Sequence, residues 1–279
     1  MTVVFSILAV VVLMMLMGMP VGLAFGLGGF AILFLTGIDP RFAMPAAFRS
    51  IESYTLMALP LFILAGGLIS ESGISRRLLN FTMALVGRTK GGLGVVCVVT
   101  CTIFGAISGS ASGAIAAIGS ILIPEMTEQG YPRGYATGLV ATSSMLALLI
   151  PPSIPMIAFA MTAQISILSA FLSTLIPGLL MMTAYSLINI YLSRRMTGLS
   201  LAPRRSPGET FKQIAVSTRK ASFALLMPVV VLGGIYGGIF TPTEAAAISA
   251  IYAVIVGLVL YRAMTFKNMF GTIKTAMIT

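Results

Sequence analysis

GAISGSASGAIAAIGSILIPEM (residues 105–126), the polar TEQGYPRG (127–134) and YATGLVATSSMLALLIPPSIPMIAFAMTA (135–163) form the stretch whose reading decides the fold. Most of it is apolar enough for a bilayer, yet two places do not suit a plain spanning helix. Ser108-Gly109-Ser110-Ala111-Ser112-Gly113 puts three hydroxyls and two glycines into six residues, and Pro151-Pro152-Ser153-Ile154-Pro155 puts three prolines into five. Proline removes a backbone donor and clashes with the preceding turn, while glycine and serine weaken a helix further. At membrane depth, freed N–H and C=O groups cost several kcal/mol each unless protein, water or an ion satisfies them. Two interruptions inside one apolar stretch therefore mark a place where freed backbone is put to use. In secondary transporters such paired breaks point to the binding site.

The composition sets the class. Of the 279 residues 58% are hydrophobic and 9% charged, against about 25% charged in a soluble domain. The sequence describes an integral membrane protein. A net charge of +10 could suggest a nucleic-acid partner, but most of the excess lies between apolar segments, the positive-inside pattern, so no nucleic-acid partner is expected. There is no histidine, and the two cysteines, Cys97 and Cys101, sit in an apolar run without other metal-type ligands. They read as packed or lipid-facing thiols, not as a zinc or redox site. The 19 methionines are spread along the spans and read as packing.

Outward from the central stretch, the pattern predicts an all-helical chain. Thr2–Met17 and Val21–Thr36 are either two tight spans or one helix broken at Pro20. Tyr54–Ile69, with Pro60 near its middle, is a span or a re-entrant hairpin; a break is expected within Glu52–Ser72. Basic residues around the short apolar Leu78–Val86 read as a loop. Gly91–Ile107 leads into the Ser-Gly cluster, and Ile115–Ile123 continues as helix until Pro124-Glu125 reaches a surface. Ser166–Leu192, Ala221–Phe240 and Ala245–Leu260 are spans, and Tyr261–Lys274 is an interfacial basic segment. Residues 194–220 hold seven of the 17 basic residues and one acid, Glu209, and are expected to be a cytoplasmic loop. Glu244, after Thr241-Pro242-Thr243, reads as part of a helix cap in preference to a proton-coupling group. The hydroxyls of Ser143 and Ser144 either bond back to their own helix or serve as ligands.

Taken together, YTLMALPLFILAGGLI, GISRRL, ISGSASGAIAAIGSILIPEM, LIPPSIPMIAFA, IPGLLM and GIFTPTEAAAISAIYA resemble, in order and spacing, the DctM-like large membrane subunit (permease, M subunit) of a TRAP transporter. The resemblance implies a multi-pass, inverted-repeat, elevator-type fold in the bacterial inner membrane, with a re-entrant hairpin and broken helices. It implies sodium-coupled import of organic acids (carboxylates), a periplasmic substrate-binding protein that delivers them, and a small membrane subunit as partner. Residues 1–193 would hold the first repeat, 194–220 the basic loop, and 221–279 the start of a second repeat on which the chain stops early. On this resemblance Ser108, Gly109, Ser110, Ser112, Ser143 and Ser144 are candidate ion ligands, with sodium as the coupling ion. Pro151, Pro152 and Ser153 are candidate substrate-binding residues. Members of the family often carry an Asp shortly after the SGS, where this chain has Gly113-Ala114, so an ion site here would use neutral oxygens. They often carry Gly-Pro ahead of the double proline, where this chain has Ala147-Leu148, which predicts a more regular helix before Pro151. The alternative function is a non-transporting scaffold or truncated assembly subunit. A channel is disfavoured because no filter-like motif is present. No enzyme is expected, and no organic cofactor: the spans lack His and Asp, and their serines have no base beside them.

Overall fold

In the computed structural model, residues 2–39, 41, 43–52, 54, 56–87, 89–196, 198–199 and 207–279 are described. They form fifteen α-helical segments and, among the described residues, no strand. The contacts divide the chain into two compact units, Met1–Ser53 and Tyr54–Thr279.

In the first unit, α1 (Thr2–Leu16) and α2 (Val21–Thr36) fold back on one another, followed by α3 (Ala43–Ile51). The reversal uses Gly18 in the left-handed region (φ 89°), with Met19 N–H donating to Met14 C=O at 3.1 Å. Ile7, Val11 and Ala24 are buried between the two helices. A Cβ on Gly28 would lie 2.5 Å from Val11 Cγ2, so the absent side chain is what lets the helices close. The pair is thus two helices, not one helix kinked at Pro20.

The second unit begins with α4 (Ala58–Glu71) and α5 (Ile74–Val86), which meet at an angle of 65°. Here the structure corrects the sequence reading. Pro60 lies in the first turn of α4, where no intrahelical N–H bond is lost. The bend falls at Ser72-Gly73, where Gly73 takes φ 73°. Leu78–Val86 is likewise the body of a helix whose Ile74, Leu78 and Leu79 are buried.

Next come α6 (Gly92–Ser108), α7 (Ala111–Ala114), a π-helical turn (Ile115–Gly119) and α8 (Ser120–Glu128). Pro124 does not end this rod, which runs on to Glu128; the wider π turn just ahead of it is the kind of adjustment that accommodates a proline. Cys97 and Cys101 are free and buried on α6, so they are packed thiols. Then α9 (Arg133–Ser144), α10 (Leu146–Leu149) and α11 (Ile154–Thr162) form a second bent pair, at 42°.

The rest is α12 (Ile167–Arg195), α13 (Pro207–Tyr236), α14 (Pro242–Ile255) continued by a π turn (Val256–Leu260), and α15 (Phe266–Ile278). Among the described residues three helices are long and apolar enough to cross a membrane, Ile167–Arg195, Gly208–Tyr236 and Pro242–Leu260, and up to five if each bent pair counts as one span. Most of the described residues in the stretch expected as a basic loop are helical. Arg194 and Arg195 close α12, and Lys212, Arg219 and Lys220 lie on α13, as suits Lys, Arg and Gln, which are good helix formers. Arg204, Arg205 and Ser206 lie outside the described residues, as does Arg88.

Small residues set the packing, as expected where lipid supplies no contrast in apolarity. Neither Gly66 nor Gly105 has room for a side chain: a Cβ would lie 2.8 Å from Ser108 C=O in the first case and 2.4 Å from Ala147 Cα in the second. On Gly94 it would lie 1.9 Å from Asn189 Oδ1. Asn189 Nδ2–H donates to Gly91 C=O at 2.8 Å, and Tyr135 O–H donates to Asn189 Oδ1 at 2.9 Å. This buried clamp ties α12 to the start of α6 and to α9.

Candidate ion and substrate site

The two breaks foreseen from sequence both exist, and the fold brings them into contact. α6 ends at Ser108 because Gly109 adopts φ 62°, and α7 restarts at Ala111. α10 ends at Leu149, since Pro151 and Pro152 cannot donate backward, and α11 restarts at Ile154 with Pro155 in its first turn. A Cβ on Gly109 would stand 2.6 Å from Pro152 C=O. Gly105–Ala147 contact one turn earlier continues the same seam.

Both breaks carry local means of satisfying their backbone. Ser110 Oγ accepts from Gly113 N–H at 3.2 Å, a helix cap, and lies 3.0 Å from Ser112 Oγ. Ser108 Oγ accepts from Ser110 N–H at 3.4 Å. Ser153 O–H donates to Leu148 C=O at 2.6 Å, taking up a carbonyl that the double proline had orphaned. Those hydroxyls keep free lone pairs after these bonds, so capping and ligation are compatible. Ser144 O–H bonds back to Ala141 C=O at 2.7 Å, and its oxygen, like those of the other serines, keeps its acceptor lone pairs. Ser143 is different: its Oγ is buried with no hydrogen-bond partner among the described residues. An unpaired buried hydroxyl costs about 1–3 kcal/mol.

Beside the first break lies a cavity of about 760 Å³. Of the nine residues expected at a site, Ser110 and Ser112 line it. Gly109, Pro152 and Ser153 stand behind it at the seam, and Ser108, Ser153, Ser143 and Ser144 are fully buried. The sequence reading missed the opposite walls: Gly66, Gly67 and Ser70 of α4, and Lys267, Asn268 and Thr272 of α15. Gly66-Gly67 in an apolar run was the available signal, since adjacent glycines in a span mark close approach. Lys267 and Glu71 bring the charges to the rim, with Asn268 Nδ2–H donating to Glu71 Oε2 at 3.5 Å. Among the described residues no group of three or more His, Cys, Asp or Glu could hold a metal. The oxygens at the seam are neutral hydroxyls and carbonyls, a donor set that suits a hard monovalent cation.

Residues 8–279 match the family described as the tripartite ATP-independent periplasmic transporter, DctM component. The chain belongs to that family. It is 39% identical over 241 residues to the C4-dicarboxylate TRAP transporter large permease protein DctM of Pseudomonas aeruginosa, covering 86% of this chain and 55% of that protein. Its Rhodobacter capsulatus namesake is 35% identical over 277 residues, 94% of this chain and 62% of that one. The isethionate TRAP transporter permease protein DctMQ of Oleidesulfovibrio alaskensis is 37% identical over 265 residues, 95% of this chain and 41% of that protein. The chain thus spans between about two fifths and three fifths of these relatives' length. As a DctM-family chain it is a multi-pass membrane protein of a transport system and not an enzyme.

Proposed function

We propose that this chain is the membrane-permease portion of a sodium-coupled importer of organic acids in the bacterial inner membrane. It would receive substrate from a periplasmic binding protein and work beside a small membrane subunit. Residues 1–193 would carry the first repeat, 194–220 its basic cytoplasmic connection, and 221–279 the start of an inverted second repeat, in an elevator arrangement. The observation that carries the reading is the seam itself: two broken helices meet at Gly109 and Pro152 beside a cavity, with the Ser143 hydroxyl buried and unpaired nearby in sequence. Sodium would take its oxygens from Ser108, Gly109, Ser110 and Ser112, with Ser143 and Ser144 the candidates from α9. A carboxylate would lie against Ser153 and the Pro151-Pro152 turn. The positive ends of the restarting helices favour an anion there. Relatives named for C4-dicarboxylates, sialic acid and 2,3-diketo-L-gulonate support the organic-acid class.

The test is uptake of labelled organic acids into vesicles holding the full-length permease and its partners, with sodium or choline outside. Loss of one neutral ligand costs about 1–3 kcal/mol. Ser110→Ala should therefore weaken sodium activation roughly ten- to a hundredfold. Uptake that is indifferent to sodium, or unchanged in Ser110→Ala and Ser112→Ala, overturns the assignment.

A further inference from the structure

A second cavity, of about 600 Å³, lies between α5 and α13. One wall is Arg76, Arg77, Asn80 and Met83; the other is Gln213, Val216, Ser217 and Lys220. Each set falls on a single helical face by its spacing. Among the described residues, three cations and three neutral polar side chains line the cavity, and no carboxylate does. α5 contains no acidic residue, and the one on α13, Glu209, lies outside the lining.

One of the three cations, Arg77, is held in place. Arg77 Cζ stacks 3.4 Å from the centroid of the Tyr261 ring, and Arg77 Nη1–H donates to Gly73 C=O at 3.3 Å. Tyr261 is itself anchored to α13: its O–H donates to Lys220 C=O at 3.1 Å, and Ala224 N–H donates to its oxygen at 3.2 Å. The same aromatic ring thus fixes the α5 arginine and the α13 backbone at Lys220. Such pre-organisation lowers the ordering cost of binding an anion.

We propose that this cavity binds the headgroup of an anionic phospholipid. Its phosphodiester would sit between Arg76, Arg77 and Lys220, with the glycerol and first acyl carbons on Met83 and Val216. A lipid fits better than a free phosphate on two counts. Apolar side chains share the lining, and α13 runs from Lys220 straight into the apolar Ala221–Tyr236 of its spanning segment. Basic cavities between membrane helices near the headgroup level are the places where such lipids are recognised. The proposal depends on the chain's being a membrane protein and is independent of the sodium site.

The experiment is native mass spectrometry of the detergent-purified full chain, titrated separately with phosphatidylglycerol, phosphatidylcholine and inorganic phosphate. Phosphatidylglycerol should bind at least tenfold more tightly than phosphatidylcholine, and excess phosphate should not displace it. Arg76→Gln and Lys220→Gln, both at exposed positions, should each weaken phosphatidylglycerol binding about fivefold. The control Arg219→Gln, next to the cavity on α13 but not in its lining, should change it by less than about twofold. Equal binding of the two lipids overturns the proposal, as does equal weakening by Arg219→Gln. Displacement by phosphate at matching concentration shows a free-anion site and overturns the lipid assignment.

Discussion

Gly109→Ala is the sharpest probe of the seam between the two breaks. Gly109 holds φ 62°, and a methyl group there would stand 2.6 Å from Pro152 C=O. The left-handed conformation costs a non-glycine residue about 1–2 kcal/mol. Relieving the contact requires the seam to open by nearly 1 Å, and overpacking of this kind costs about 1–3 kcal/mol. The substitution should therefore destabilise the protein by about 2–5 kcal/mol. Gly138→Ala is the matched control: that glycine lies inside α9 with nothing within 4 Å of its would-be methyl. Alanine there should stabilise the helix by about 0.5–1 kcal/mol. The buried Cys97 and Cys101 provide the readout, because a thiol-reactive dye labels them only as the protein opens. Thermal labelling curves should move down for Gly109→Ala and slightly up for Gly138→Ala. Equal curves for the two variants would show that α6 and the Pro151-Pro152 turn do not touch, and the reasoning fails.

Other outcomes follow from the same contacts. Asn189→Ala should cost about 1–3 kcal/mol in the same labelling assay, since it strips Gly91 C=O and Tyr135 O–H of their partner. Thr241 Oγ1 accepts from Glu244 N–H, and Glu244 returns a bond to Thr241 N–H at 2.8 Å. Thr241→Ala should accordingly raise amide exchange in the first turn of α14, with a loss of about 1 kcal/mol. Ser143→Ala removes an unpaired buried hydroxyl, so in choline it should leave stability equal or higher, whereas any stabilisation by added sodium should shrink. Lys212→Cys, exposed on α13, should react with an impermeant thiol reagent only after the cytoplasmic side is opened; labelling of intact cells from outside would invert the topology.

What the sequence revealed, it revealed through local backbone chemistry. The Ser-Gly and Pro-Pro interruptions were legible because glycine and proline limit helices wherever they occur. The capping role of Glu244 was legible for the same reason. Proline misled at Pro60 and Pro124, since its effect depends on position in the turn: harmless at the start of α4, accommodated beyond a π turn in α8. Polarity misled at residues 207–220, where charged side chains suggested a loop although most of them favour helix. The cavity walls from α4 and α15 were not legible at all, because they depend on which helices pack together across about 200 residues of sequence, as Gly67 against Thr272 shows. The same applies to Ser143, whose missing partner is a tertiary fact.

The central claim, that the meeting breaks hold sodium, is most directly tested by titrating the purified full chain with sodium against choline at constant ionic strength. Labelling of Cys97 and Cys101 again reports the melting temperature. The account predicts that sodium raises the melting temperature saturably. It further predicts that Ser110→Ala shifts the half-saturating concentration upward by about ten- to a hundredfold. A melting temperature equally insensitive to sodium and choline, or a sodium effect identical in wild type and Ser110→Ala, would contradict it.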